Sequence, residues 1–85
     1  MKKITDKEAK KLNGKRGLRV DVLMTDYELR TCQILIVYRG TTFLLHSFRG
    51  HVRKFSYPQS AFRYIRDHLG LVSARVVFEN SPEKP

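Results

Sequence analysis

Residues 32–48 read CQILIVYRGTTFLLHSF, and the way this stretch divides decides the fold. Cys32 to Tyr38 holds Ile34, Leu35, Ile36 and Val37, a run rich in β-branched residues and apolar on both faces, as expected of a strand inside a sheet. Arg39-Gly40-Thr41 supplies a turn, and Thr42 to Phe48 is expected to return as the antiparallel partner. Alternation sends Phe43, Leu45 and Ser47 to one side and Leu44, His46 and Phe48 to the other. One face of this hairpin is therefore expected to meet a helix while the other stays partly open.

Upstream, Leu18, Val20, Val22 and Met24 alternate with Arg19, Asp21 and Leu23, the period of a strand with one buried face. Downstream, Arg49-Gly50-His51 breaks the pattern, and Val52 to Phe55 is short enough for one further extended piece. A helix is expected from Ser56, which can cap with Gln59 three residues on and Pro58 in the first turn. Ala61, Phe62, Ile65 and Leu69 form its apolar stripe, with Tyr64 and His68 at one margin and Gln59, Ser60, Arg63, Arg66 and Asp67 opposite. Gly70 is placed to end the helix in a left-handed conformation. Leu71 to Glu79 then reads as a final strand.

These elements predict an α+β fold: a small antiparallel sheet of three to four strands packed on one face by a single helix from the C-terminal half, followed by a final strand. Residues 18–79 form that domain. Residues 1–17 are expected to be a flexible basic arm, because Ile4, Ala9 and Leu12 offer little apolar surface and Gly14 and Gly17 bracket Lys15 and Arg16. A transient helix from about Thr5, with Glu8 at the third position after that cap, is compatible with the arm. Residues 80–85 carry two prolines and no apolar anchor, and are expected to fray.

Eighty-five residues bury one modest core. Seventeen Lys and Arg against eight Asp and Glu give a formal net charge of +9. Residues 1–19 alone hold eight basic and two acidic side chains, a local balance of +6. No apolar run is long enough for a spanning helix, and the lysine-rich start lacks the apolar segment of a signal peptide. A lone cysteine, Cys32, offers neither an internal disulfide nor a thiolate metal set. The expectation is an unexported, cytoplasmic or otherwise intracellular protein with a buried thiol and no cofactor.

The charge points to an anionic partner, with nucleic acid first. Lys2, Lys3, Lys7, Lys10, Lys11, Lys15, Arg16 and Arg19 give the arm a dense set of phosphate partners, which gain affinity by releasing condensed counterions. On the folded body, Arg39 tips the hairpin, Arg49, His51, Arg53 and Lys54 crowd one connection, and Arg63 and Arg66 stand on the helix. A strand ribbon entering a major groove, or the helix face meeting the backbone, are the two anatomies expected on DNA. Tyr27, Tyr38, Phe43, Phe48, Phe55 and Tyr57 would stack on unpaired bases only if several shared the open sheet face. Since Phe43 and Phe48 point oppositely, double-stranded DNA is preferred over single strands and RNA.

Two other classes compete. An interaction or inhibitor module would dock a sheet edge or the helix on an acidic protein. A metal-independent ribonuclease would use His46, His51 and His68 as acid and base, with Arg49 or Arg53 stabilising charge on phosphate. Their spacing matches no defined catalytic arrangement. Asp21, Asp26 and Glu28 lack a full metal-loop pattern, and Gly14-Lys15-Arg16-Gly17 is too short for a phosphate loop and follows no strand.

Overall fold

The computed structural model describes residues 1–26, 28 and 30–79. Five strands, β1 (Lys2–Thr5), β2 (Arg19–Met24), β3 (Cys32–Tyr38), β4 (Thr41–His46) and β5 (Arg75–Phe78), lie in one sheet of order β1-β4-β3-β2-β5. Helix α1 (Asp6–Lys10) follows β1, and helix α2 (Pro58–Tyr64) runs on into a π-helical segment, Ile65–Leu69. The architecture is α+β with one main helix. It corrects the expected sheet of three to four antiparallel strands, because β1 pairs with β4 and β5 with β2 in parallel.

The hairpin β3–β4 has the predicted place, with Ile36 opposite Phe43 and Leu35 opposite Leu44. Arg39 and Gly40 both have positive φ, 51° and 77°, as a two-residue type I′ turn requires. Strand β4 stops at His46, before the expected Phe48. Ser47 instead begins a turn in which its N–H donates to the His51 carbonyl, and Phe48 stands 83% exposed. The predicted extended piece survives as two isolated bridges, His46 to Val52 and Cys32 to Phe55.

Register places Ile4, Val20, Val22, Met24, Cys32, Ile34, Ile36 and Leu45 on one face, where they form the core with Ala9, Ala61, Tyr64, Ile65 and Leu69 of the helices. Within the helix, the prediction errs over which aromatic is buried. Tyr64 is 5% exposed and Phe62 44%. Residues of an α-helix advance by about 100°, whereas a π turn closes i→i+5 and advances each residue less. That smaller step swings Leu69 back into line with Ala61, so the buried stripe centres nearer Tyr64 and turns Phe62 outward. The cap also differs. Tyr57, not Ser56, is the N-cap and makes no side-chain bond, leaving Pro58 in the first turn to start the helix. Gly70, at φ 69°, ends the π-helical segment as expected.

The first seventeen residues depart most from expectation. The segment predicted as a flexible arm contains β1, paired along the outer edge of β4, and α1, whose Thr5–Glu8 capping box is complete. Ile4 and Ala9 are in the core and Leu12 packs against it. Three apolar residues could not hold a lone helix, but strand pairing and polar anchors to distant residues supplement them. The expected fraying of residues 80–85 lies outside the described residues.

Candidate nucleic-acid interface

Asp6 is the chief anchor. Its carboxylate accepts from the Tyr64 hydroxyl and from Arg53 at 3.5 Å, and it pairs with Lys10 at 3.1 Å. Burial raises the Asp6 pKa, but the Tyr64 hydrogen bond and the Lys10 and Arg53 charges outweigh it and hold the carboxyl below its ordinary value. Desolvation and the same carboxylate push the Tyr64 hydroxyl far up. Arg53 also lies 5.3 Å from both the Phe55 and Tyr64 ring centroids, so it joins α1, α2 and the segment between them. A second anchor is Asn13, whose side-chain amide donates to the His68 carbonyl at 3.0 Å. Nothing in residues 1–17 alone signals these partners, which lie 47 to 58 residues away.

Folding of this segment changes how its cations are held. Sixteen of the seventeen Lys and Arg lie among the described residues; Lys10, Arg30, Arg53, Arg66 and Arg75 have a carboxylate within 4.0 Å, and the other eleven have none from a described residue. Lys2 and Lys3 are exposed on β1, an outer edge of the sheet. Lys7 and Lys11, four apart, share the exposed side of the first helical turns. Lys15 and Arg16 are exposed in the turn before β2, and Arg19 opens β2 opposite Val37. That register brings the starts of β1 and β2 and the Arg39 turn to the same end of the sheet.

The remaining candidates are dispersed. Arg49, His51 and Lys54 are exposed around the 47–51 turn, with Arg49 5.7 Å from the Phe48 ring centroid. Arg63 and Arg66 are exposed on the helical side, Arg66 paired with Asp67 at 2.9 Å. Arg39 lies 5.3 Å from the Tyr38 ring centroid. The structure thus brings Lys2, Lys3, Arg19 and Arg39 toward one end of the sheet, while α1 follows the other end of β1, where Asp6 pairs with both Lys10 and Arg53 of the 49–54 group.

The sheet face opposite the helices carries Lys3, Leu44, Leu35, Asp21 and Arg75 in one cross-strand row, and Arg19, Val37 and Thr42 in the next. Lys3 and Arg19 stand about 16 Å apart at the backbone, from three strand spacings and two residue rises. Asp21 accepts from Arg75 at 2.8 Å. No aromatic residue falls on this face among the described strand residues: Tyr38 and Phe43 pack on the core side, and Phe55 is buried. The conditional stacking platform is therefore not built there; Tyr27 lies outside the described residues.

His46, on this open face, is buried, with Nδ1 2.8 Å from the Leu44 carbonyl oxygen. His68 packs against Tyr64 on the helical side, at 4.8 Å between ring centroids, and His51 is exposed in its turn. The sheet separates His46 from His68, so the three do not converge as a catalytic set. The acidic residues considered for metal binding are otherwise engaged: Asp26 accepts from the N–H groups of Arg30 and Thr31, both at 2.8 Å, and Glu28 pairs with Arg30 at 3.4 Å. Cys32 is fully buried, and desolvation and then the nearby Asp26 charge raise its thiol pKa. No helix among the described residues is long and apolar enough to cross a membrane. Comparisons with protein-family models, curated proteins and solved structures each found no match for this chain.

Proposed function

We propose that this protein binds nucleic acid, double-stranded DNA before single strands or RNA, as an accessory or regulatory factor. The observation that carries the reading is the set of exposed cations along β1, α1 and the Arg39 end of the sheet that have no carboxylate partner among the described residues. Fixed on a strand edge and a capped helix, Lys2, Lys3, Lys7, Lys11, Arg19 and Arg39 lose less freedom on meeting phosphates than they would on a mobile arm. An open face with no aromatic residue among its described strand residues favours a duplex, because single strands draw much of their affinity from base stacking. Phosphate contacts of this kind position a protein on DNA without reading its sequence.

The test is fluorescence anisotropy of the full chain with a random duplex over a salt series. Each phosphate contact contributes about −0.9 to the slope of log K against log salt on duplex DNA. Lys3→Ala combined with Lys7→Ala is expected to make the slope shallower by about 1.8. Absence of binding at low salt overturns the proposal. An unchanged slope in the double variant removes these two residues from the contact surface.

A further inference from the structure

The two edges of the sheet differ. On β1, Lys2 and Lys3 guard the edge with charge, a common means of discouraging added strands. On β5, Val76 and Phe78 are 42% and 57% exposed. Phe62 and Val72 extend this apolar surface beside a groove of about 540 Å³ between the helix and residues 71–76.

Backbone polarity on β5 follows from one bond. The Glu79 N–H donates inward to the Met24 carbonyl at 3.0 Å, so alternation turns the N–H and C=O groups of Val76 and Phe78 toward the outer edge. Residues 75–79 read Arg-Val-Val-Phe-Glu. Laid antiparallel against itself about Val77, this segment places Val76 opposite Phe78 of a second copy, so that the outward groups form the hydrogen-bonded pair. The same register puts Arg75 opposite Glu79 and Val77 opposite itself. Backbone polarity, apolar matching and charge thus select one pairing.

We propose that β5 is a homodimer interface, joining two copies through antiparallel β5 pairing into a continuous ten-stranded sheet. The two-fold axis stands perpendicular to the sheet at Val77, so both helical layers lie on one side and the exposed Phe62, Val76 and Phe78 of each copy approach the other's. The interface is isologous, as in most closed dimers. It stands independently of nucleic-acid binding.

Sedimentation equilibrium of the full chain from micromolar to millimolar concentration, at an ionic strength near 0.3 M to screen the +9 charge, tests it. The expected result is a concentration-dependent rise from 10.0 kDa to twice that mass. Val76→Pro removes an outward N–H without taking a bond from β2, and is expected to remain monomeric with an unchanged far-ultraviolet spectrum. Glu79→Lys sets like charges opposite each other and should weaken association about tenfold. Val77→Cys fixes the register, because a non-hydrogen-bonded pair at about 4.5 Å between Cα atoms is within disulfide reach; buried Cys32 does not compete. Under mild oxidation it should yield linked dimer faster than Val76→Cys. A wild-type protein that stays at 10.0 kDa throughout, a Val76→Pro variant that still dimerises, or preferential linking through position 76 overturns the proposal.

Discussion

Replacing Asp6 with alanine removes the acceptor that ties α1 to the body of the protein. The Tyr64 hydroxyl loses a charge-assisted hydrogen bond, worth about 1.5 kcal/mol at the low end of the usual range because the Asp6 side chain is 30% exposed. The ion pairs with Lys10 and Arg53, whose side chains are 46% and 40% exposed, add about 0.3–0.5 kcal/mol together after solvent screening. The expected loss is therefore about 2 kcal/mol, or roughly 8–16 °C in Tm for a domain of this size. Urea unfolding followed by circular dichroism measures it. Tyr64→Phe completes the double-mutant cycle with an expected coupling of about 1–1.5 kcal/mol. If Asp6→Ala falls within about 0.3 kcal/mol of wild type, or the two substitutions are additive, the first helix is not anchored as described.

Acid should weaken the same anchor. The Asp6 carboxyl is held below its ordinary value in the folded state, so its stabilisation is complete above the unfolded pKa of about 3.9 and is lost as pH falls through the lower folded value. Urea midpoints for wild type and Asp6→Ala should converge over that interval; a constant difference contradicts the assignment. Gly70→Ala should cost about 2 kcal/mol in urea unfolding, because φ is +69° and the new Cβ would lie 2.7 Å from Asn13 Oδ1. A neutral result would mean that the Asn13 contact yields freely. Burial and a raised pKa predict that Cys32 reacts with a thiol reagent only as fast as the protein opens, a rate that denaturant should increase. Rapid stoichiometric labelling of the native state would place the thiol elsewhere.

The hairpin was legible because its information is local: Ile34 to Val37 declare a central strand, and Gly40 beside Arg39 permits positive φ at two successive residues. The Thr5–Glu8 capping box was legible for the same reason. What turned that short helix from a transient feature into part of the core was not, since Tyr64 and the His68 carbonyl are remote in sequence. Periodicity also misplaced Phe62, because the helical wheel assumes one angular step throughout and the π-helical segment changes it. At the candidate interface, composition revealed the cations but not their engagements. Arg53 looks like a phosphate ligand beside Lys54, yet it stacks on two rings and faces Asp6. Lys3 and Arg19 reach the same sheet face only because β1 joins the outer edge of β4, a pairing invisible in the order of elements.

Titrating isotope-labelled protein with a DNA duplex at low ionic strength, and following each backbone amide by NMR, tests nucleic-acid recognition most directly. The expected pattern is concentrated perturbation at Lys2, Lys3, Lys7, Lys11, Arg19 and Arg39, with little change at Val76 and Phe78. Amides that stay in place throughout β1, α1 and the Arg39 turn as duplex is added would contradict it.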